Sequence, residues 1–368
     1  MMTASFWNRF GLRYDSSQDY VRAVQEKYEG YVVEEFGEQG YCSYTLLVTP
    51  LNDVDSSTTS YECADATANT SKSQVAFLVQ LRPMPHALDP SIARAASTVY
   101  PTLAPVIRPL DLVLPGDLCT YEMQKLPGTP LSRLLPRERA LDASTHAKLE
   151  RLIASFADMI AQGLHSTSKT RQPSRNTRAD SPMDCTPSML SQCPGKVGST
   201  IIHRLEKLAA ELPDANLRDR AMVILRVIQR VPDYPVALNH GDLIPSNILV
   251  DEGTWEITGL VDWAEAEWLP FGTCLYGLEH LLGFVAPGGA PLFNYFDHAT
   301  RLRGLFWRHL SDVLPEIRCQ EEEVRAMRDL GVLLWHGIAW DDGEINRVVN
   351  ETDDAEELAK LRAFLSAS

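Results

Sequence analysis

Residues 238–272 read LNHGDLIPSNILVDEGTWEITGLVDWAEAEWLPFG. Three polar residues, His240, Asp242 and Asn247, fall in a tight loop punctuated by Gly241 and Pro245. Two apolar runs follow, Asn247–Val250 and Ile257–Val261, and the polar turn around residues 251–253 separates them as in a hairpin. Asp262 comes directly after the second run. The hairpin can bring it back beside Asn247, although the two lie fifteen positions apart. Phosphoryl transfer needs such a set. Hard oxygen ligands hold magnesium against the phosphates, and a carboxylate orients or deprotonates the attacking hydroxyl. The chemistry is mostly positioning and charge stabilisation, so a few fixed carboxylates suffice.

The pattern H-G-D-L-x-P-S-N-I-L-V closed by V-D-W resembles the aminoglycoside phosphotransferase and choline kinase-like superfamily, a branch of the protein kinase-like fold. The resemblance implies that Asp242 is the catalytic carboxylate and that Asn247 and Asp262 are magnesium ligands. Asp262 stands in the place of the metal-binding aspartate of the kinase D-F-G motif, with Trp263 for Phe and Ala264 for Gly. His240, grouped with the catalytic residues, looks like the histidine that braces the loop. The continuation EAEWLPFGTCLYGLEHLLG looks like a fungal-type subgroup of phosphotransferase-like proteins. ATP and Mg2+ are the implied cofactors, and the implied fold is α+β and bilobal, with a stranded N-lobe and a mainly helical C-lobe.

Upstream, the chain reads as that stranded lobe over residues 1–125. A short helix is expected over Ser17–Tyr28. Strand-like runs follow on either side of Gly37 and Gly40, then a polar insertion at 52–74 and a strand over Gln74–Pro83. Residues 89–100 read as a helix opened by Asp89 and Pro90, and 106–114 and 118–123 as two more strands. The turn FGEQGYCSY, Phe36–Tyr44, is the candidate phosphate cover. Gly37 and Gly40 permit close backbone approach, and Ser43 can add a contact. The family's basic residue on the third strand has no lysine here. Arg82 is the nearest substitute, with Gln80 on its face by strand alternation. Residues 84–105 hold no glutamate to pair with it. The segment TYEMQKLPG, Thr120–Gly128, resembles the inter-lobe linker, where adenine would dock near Glu122 and Met123.

Residues 126–368 read as a helical catalytic and acceptor-binding lobe. Leu149, Leu152, Ile153, Phe156 and Ile160 recur at helical spacing. Further helices are expected over 201–212, 218–229, 275–284, 295–314, 322–338 and 354–365. The Ser-, Thr-, Pro- and Arg-rich stretch 165–198 is expected to be a disordered insertion. Candidate acceptor-side residues are Glu265, Glu267, Trp268 and Glu279, with Trp340 from a late aromatic and acidic cluster. Carboxylates beside aromatic rings suit an amine-bearing acceptor.

Composition sets the outer bounds. With 368 residues, 45% of them hydrophobic, the chain can build one large unit or two lobes sharing a cleft. Its 34 basic against 49 acidic residues leave a formal charge of −15, which argues against nucleic-acid binding. Seven scattered cysteines suggest neither a disulfide framework nor a zinc site. No leader-like N-terminus or long apolar run points to a membrane, so the cytosol is expected. The expected function is a small-molecule kinase moving the γ-phosphoryl of ATP to a hydroxyl acceptor. The altered small lobe motivates two alternatives, an inactive binding or regulatory protein and an enzyme of secondary metabolism that reuses the site.

Overall fold

Alternation in YTLLVTP turns Tyr44, Leu46 and Val48 to one side of a strand, and all three are buried. That face belongs to a five-stranded antiparallel sheet built from β1 (Tyr31–Glu35), β2 (Tyr44–Pro50), β3 (Phe77–Pro83), β4 (Ile107–Pro109) and β5 (Leu118–Gln124) in the order β1-β2-β3-β5-β4. Two helices complete its core, α1 (Thr3–Arg9) and α2 (Ser17–Lys27). Phe6 and Trp7 of α1 and Tyr20 of α2 pack with Tyr44, Leu46, Val79 and Leu81. The α1 helix was not anticipated from sequence, because seven residues are too few to show periodicity.

The computed structural model describes residues 3–12, 17–51, 75–112, 114, 116–170, 189–286, 288, 291–341 and 344–367. The polar insertion 52–74 lies outside them, as do residues 171–188 of the second insertion. The chain forms two compact units. The first takes the chain to Arg94 and again from Pro105 to Leu126, and the second takes Ala95–Ala104 and Pro127–Ser368. Residues 95–104, read from sequence as part of the first lobe, follow the second unit for a visible reason. Leu103 O accepts from Leu260 N at 2.7 Å, and Val99 O accepts from Gln162 Nε2 at 3.0 Å. They include the second half of α3 (Pro90–Val99).

The second unit is mainly helical. Its long α4 (Ala143–Thr170) buries Leu149, Leu152, Ile153 and Phe156 completely, the stripe that the helical spacing marked. Each such side chain contributes about 1.5–3 kcal/mol of burial. The other helices are α5 (Ile201–Glu211), α6 (Ala215–Arg230), α7 (Tyr276–Leu281), α8 (Ala299–Val313), α9 (Glu321–His336) and α10 (Ala355–Ser366). A three-stranded sheet orders β6 (Thr129–Pro130), β8 (Ile248–Val250) and β9 (Ile257–Leu260), and β7 (Val236–Asn239) pairs antiparallel with β10 (Glu267–Pro270).

Two readings of this unit need correction. The expected helices over 275–284 and 295–314 lose their adjoining ends to a hairpin of β11 (Gly283–Val285) and β12 (Phe293–Tyr295). Phe293 packs edge-on against Phe364, so tertiary contact decides a short aromatic run that periodicity leaves open. The stretch 165–198 is also not wholly irregular. The α4 helix continues to Thr170, and 3-10 turns form at Met189–Gln192 and Gly198–Thr200, with Met189 and Cys193 buried.

Candidate active site

The loop after β7 is fixed from both of its ends. Asn239, 1% exposed, donates through Nδ2 to Ala237 O and Leu269 O, and its Oδ1 accepts from Cys274 N at 2.8 Å. His240 follows and uses both ring nitrogens. Nδ1 accepts from Asp242 N at 3.3 Å, so the proton sits on Nε2, which donates to Val261 O at 2.9 Å. One imidazole therefore ties the residue before Asp262 to the backbone of Asp242. Its ring also packs on Trp263, with centroids 4.5 Å apart. Burial holds its pKa down at about 4, so it stays neutral and braces the loop. Grouping His240 with the catalytic residues is thus corrected to a positioning role.

Gly241 has φ 79°, and a Cβ there would meet Glu265 O at 2.0 Å. No other residue fits both constraints. Gly241→Ala is expected to lose at least about 1–2 kcal/mol from the left-handed backbone alone, with the clash added. A fall in the urea midpoint measures it.

Asn247 Nδ2 donates to Asp242 O at 2.9 Å and to Asp242 Oδ2 at 2.7 Å. Asn247 O accepts from Val261 N at 3.0 Å, which joins the loop to the far side of the hairpin. Asp262 follows in a left-handed conformation, φ 63° and ψ 67°. That geometry costs a non-glycine residue on the order of 1–3 kcal/mol and is typical of functional positions. Burial, then the charge of Asp262, pushes the Asp242 carboxyl up to about 7, against the bond from Asn247, and Glu265 adds to the rise. Asp242, Asn247 and Asp262 thus converge, with surplus negative charge around Asp242.

On the expected acceptor side the residues part company. Glu265 is exposed next to Gly241, and Trp340 is 46% exposed. Trp268 is half-buried on β10 opposite Leu238. Glu267 is committed elsewhere. Its carboxylate accepts from Val197 N at 2.9 Å and Gly198 N at 2.9 Å, capping the turn that opens α5. Glu279 is a correction. It is fully buried and bonded to Arg303, Arg328 and Tyr295, so no acceptor reaches it.

In the first unit the glycine turn is more braced than its sequence suggests. The Gln39 side chain bonds Thr45 N at 2.8 Å and Thr45 O at 2.8 Å. Arg9 of α1 lies over the Tyr41 ring and donates to Tyr41 O at 2.8 Å. Gly37 is open, whereas Gly40 approaches Ser43 so closely that a Cβ would fall 2.5 Å from its hydroxyl. Ser43 is 4% exposed and accepts from Gln80 Nε2, which corrects its reading as a phosphate contact. Arg82 shares the face of Gln80 as alternation requires, but it is 5% exposed and donates to Gln80 Oε1 at 3.1 Å. Half-buried Gln80 links buried Arg82 and Ser43 in one polar chain. The Glu122 carboxylate accepts from Tyr28 Oη at 2.7 Å, and Met123 is buried.

The profile of the phosphotransferase enzyme family matches residues 90–273, half of the chain and all of the loop just described. The chain belongs to this family. No curated protein matches it in sequence. Among solved structures it is similar to an aminoglycoside 2'-phosphotransferase of type IIIa in complex with GDP. The identity is 14% and the TM-score 0.51, over 95% of this chain and 96% of that one. It is also similar to an ethanolamine kinase from Plasmodium vivax, with 13% identity and a TM-score of 0.50 over 95% and 87%. These likenesses establish the bilobal α+β architecture of the protein kinase-like fold.

For a member of the phosphotransferase enzyme family, the donor set of this loop suits magnesium. Both Asn247 bonds to Asp242 use Nδ2, which leaves Oδ1 as the oxygen for a cation, and Asp262 adds an exposed carboxylate. Among the described residues no three His, Cys, Asp or Glu side chains cluster to hold a metal by themselves. Magnesium does not require that, since one or two protein oxygens plus phosphate and water complete its octahedron. Among the described residues no helix is long and apolar enough to cross a membrane. Sequence reading missed Asn239, Gln39 and Arg9. Only Asn239 left a signal, as a polar residue ending the apolar run VAL.

Proposed function

We propose that this chain is a cytosolic small-molecule kinase of the fungal-type subgroup, transferring the γ-phosphoryl of ATP to a hydroxyl of an amine-bearing metabolite. The observation that carries the reading is the 2.7 Å bond from Asn247 Nδ2 to Asp242 Oδ2, in a loop that His240 ties to the residue before Asp262. Asp242 orients the acceptor hydroxyl and takes its proton as the phosphoryl is transferred. Asn247 fixes the carboxylate, and its Oδ1 together with the Asp262 carboxylate would hold Mg2+. When bound, the cation neutralises the phosphate charge. Exposed Glu265 and half-buried Trp268 supply the acid and ring that favour an amine. ATP is assigned to the first unit, at the backbone of residues 37–41 and of 122–123.

Thermal shift with ATP and magnesium tests the reading. At about a hundred-fold excess over Kd, binding adds about 2.7 kcal/mol of stability. Asp262→Ala is expected to abolish the magnesium-dependent part. The baseline also has a pH sign. The folded protein holds the Asp242 proton more tightly than the unfolded chain, so Asp242's own contribution to the empty protein's stability falls as pH rises from about 4 to 7. No shift at any pH removes the kinase reading. It would favour a regulator or a reused enzyme, in line with the burial of Arg82 at 5% exposure.

A further inference from the structure

The residue after Asp242 is seated from below by α7. Leu243 N, in a buried setting, donates to Tyr276 Oη at 2.8 Å. The next residue leaves room for the rest of Leu243. A Cβ on Gly277 would stand 2.8 Å from Leu243 O and 3.0 Å from its side chain. Tyr276 is itself immobilised. It is 3% exposed and stacks on Trp335 of α9, with centroids 5.0 Å apart and planes at 10°. His280 and His336 meet its ring edge-on. The Asp242 loop thus has one side-chain acceptor for its central amide, mounted on a rigid aromatic pair.

His240 and Asn247 hold the two ends of that loop, and neither bonds the Leu243 amide. A buried N–H that loses its acceptor must find another or move, since leaving it unsatisfied is costly. Movement of Leu243 carries the adjoining Asp242, whose task depends on sub-ångström placement.

We propose that Tyr276 is a positioning residue for phosphoryl transfer: its hydroxyl, backed by Trp335, sets the height of the Asp242 loop. This rests on the reading of Asp242 given above, and the test separates the two. Tyr276→Phe removes only the hydroxyl. Tyr234→Phe is the matched control, deleting a buried hydroxyl that donates to Phe271 O at 3.0 Å. Magnesium-dependent ATP hydrolysis, with water as acceptor, gives kcat and KM without knowledge of the natural acceptor. Hydrogen exchange of a peptide covering residues 238–248 reports the loop whether or not the protein turns over.

In Tyr276→Phe the peptide is expected to exchange at least about ten-fold faster, with the β8–β9 hairpin unchanged. The kcat is expected to fall about ten- to a hundred-fold at constant KM for ATP. Tyr234→Phe should show neither effect at a comparable melting midpoint. Gly277→Ala, which pushes on Leu243 without touching the hydroxyl, should lower kcat in the same way. Unchanged exchange in Tyr276→Phe overturns the proposal, and so does unchanged kcat in an active protein. A wild type with neither a thermal shift nor turnover, whose Tyr276→Phe loop still loosens, defeats the kinase reading and supports the seat.

Discussion

Asp242→Asn is expected to lower kcat for phosphoryl transfer by about a hundred- to ten-thousand-fold and to leave binding of Mg2+ and ATP nearly intact. Asparagine is the right replacement, because its oxygen can still accept from Asn247 Nδ2 and keep the loop in place. Alanine would confound chemistry with loop collapse. The same change should raise stability. Asp242 ionises reluctantly in the folded protein, pushed up to about 7 by burial and then by the charge of Asp262. An uncharged isostere escapes that cost. Asp242→Asn should therefore melt higher than wild type without nucleotide, most clearly above about pH 7, where wild type carries the charge. A dead but stabilised variant marks a residue kept for chemistry. Undiminished turnover would remove Asp242 from its assigned place, and a lower melting point would make it a structural residue.

How much of this was legible depended on distance along the chain. The loop and hairpin were readable because their determinants are local. Gly241 and Pro245 break the run, the polar turn around Asp251 reverses it, and β8 and β9 fall on the two apolar runs that flank that turn. Tyr276, thirty-three residues from its partner, gave no such signal. Glu267 and Glu279 misled for a related reason. Acids near aromatics after Asp262 suggest a cation site, but their real partners are remote, Val197 seventy residues earlier for Glu267 and Arg328 forty-nine later for Glu279. Arg82 was half legible. Alternation put it on the face of Gln80, but nothing in a single strand tells whether that face is buried by the rest of the unit. The β11–β12 hairpin was misread because Phe284 and Tyr295, at the adjoining ends of two expected helices, suit either element until Phe364 packs against Phe293.

The second large effect concerns Glu279, and its basis is burial. The carboxylate is wholly inaccessible. It accepts from Arg328 at 2.6 Å, from Arg303 at 2.8 Å and 3.1 Å, and from Tyr295 Oη at 2.8 Å. Burial alone would raise its pKa, but the charges of Arg328 and Arg303 outweigh that and hold it below the usual carboxylate range. Glu279→Ala leaves two guanidinium groups, 5% and 13% exposed, without their shared counter-charge. Removing one partner of a buried ion pair typically costs about 3–5 kcal/mol. Tyr295→Phe, which removes one bond and no charge, should cost about 1 kcal/mol. Urea midpoints measure both. The pH sign follows from the depressed pKa. Glu279's contribution is present above the unfolded value of about 4.5 and is lost as pH falls through the folded value. The gap between wild type and Glu279→Ala should therefore stay wide at neutral pH and close only in acid below that point. Were Glu279 an acceptor ligand instead, alanine would raise KM for the acceptor at unchanged stability. That outcome would mean the α7 face opens in solution and the buried cluster does not hold.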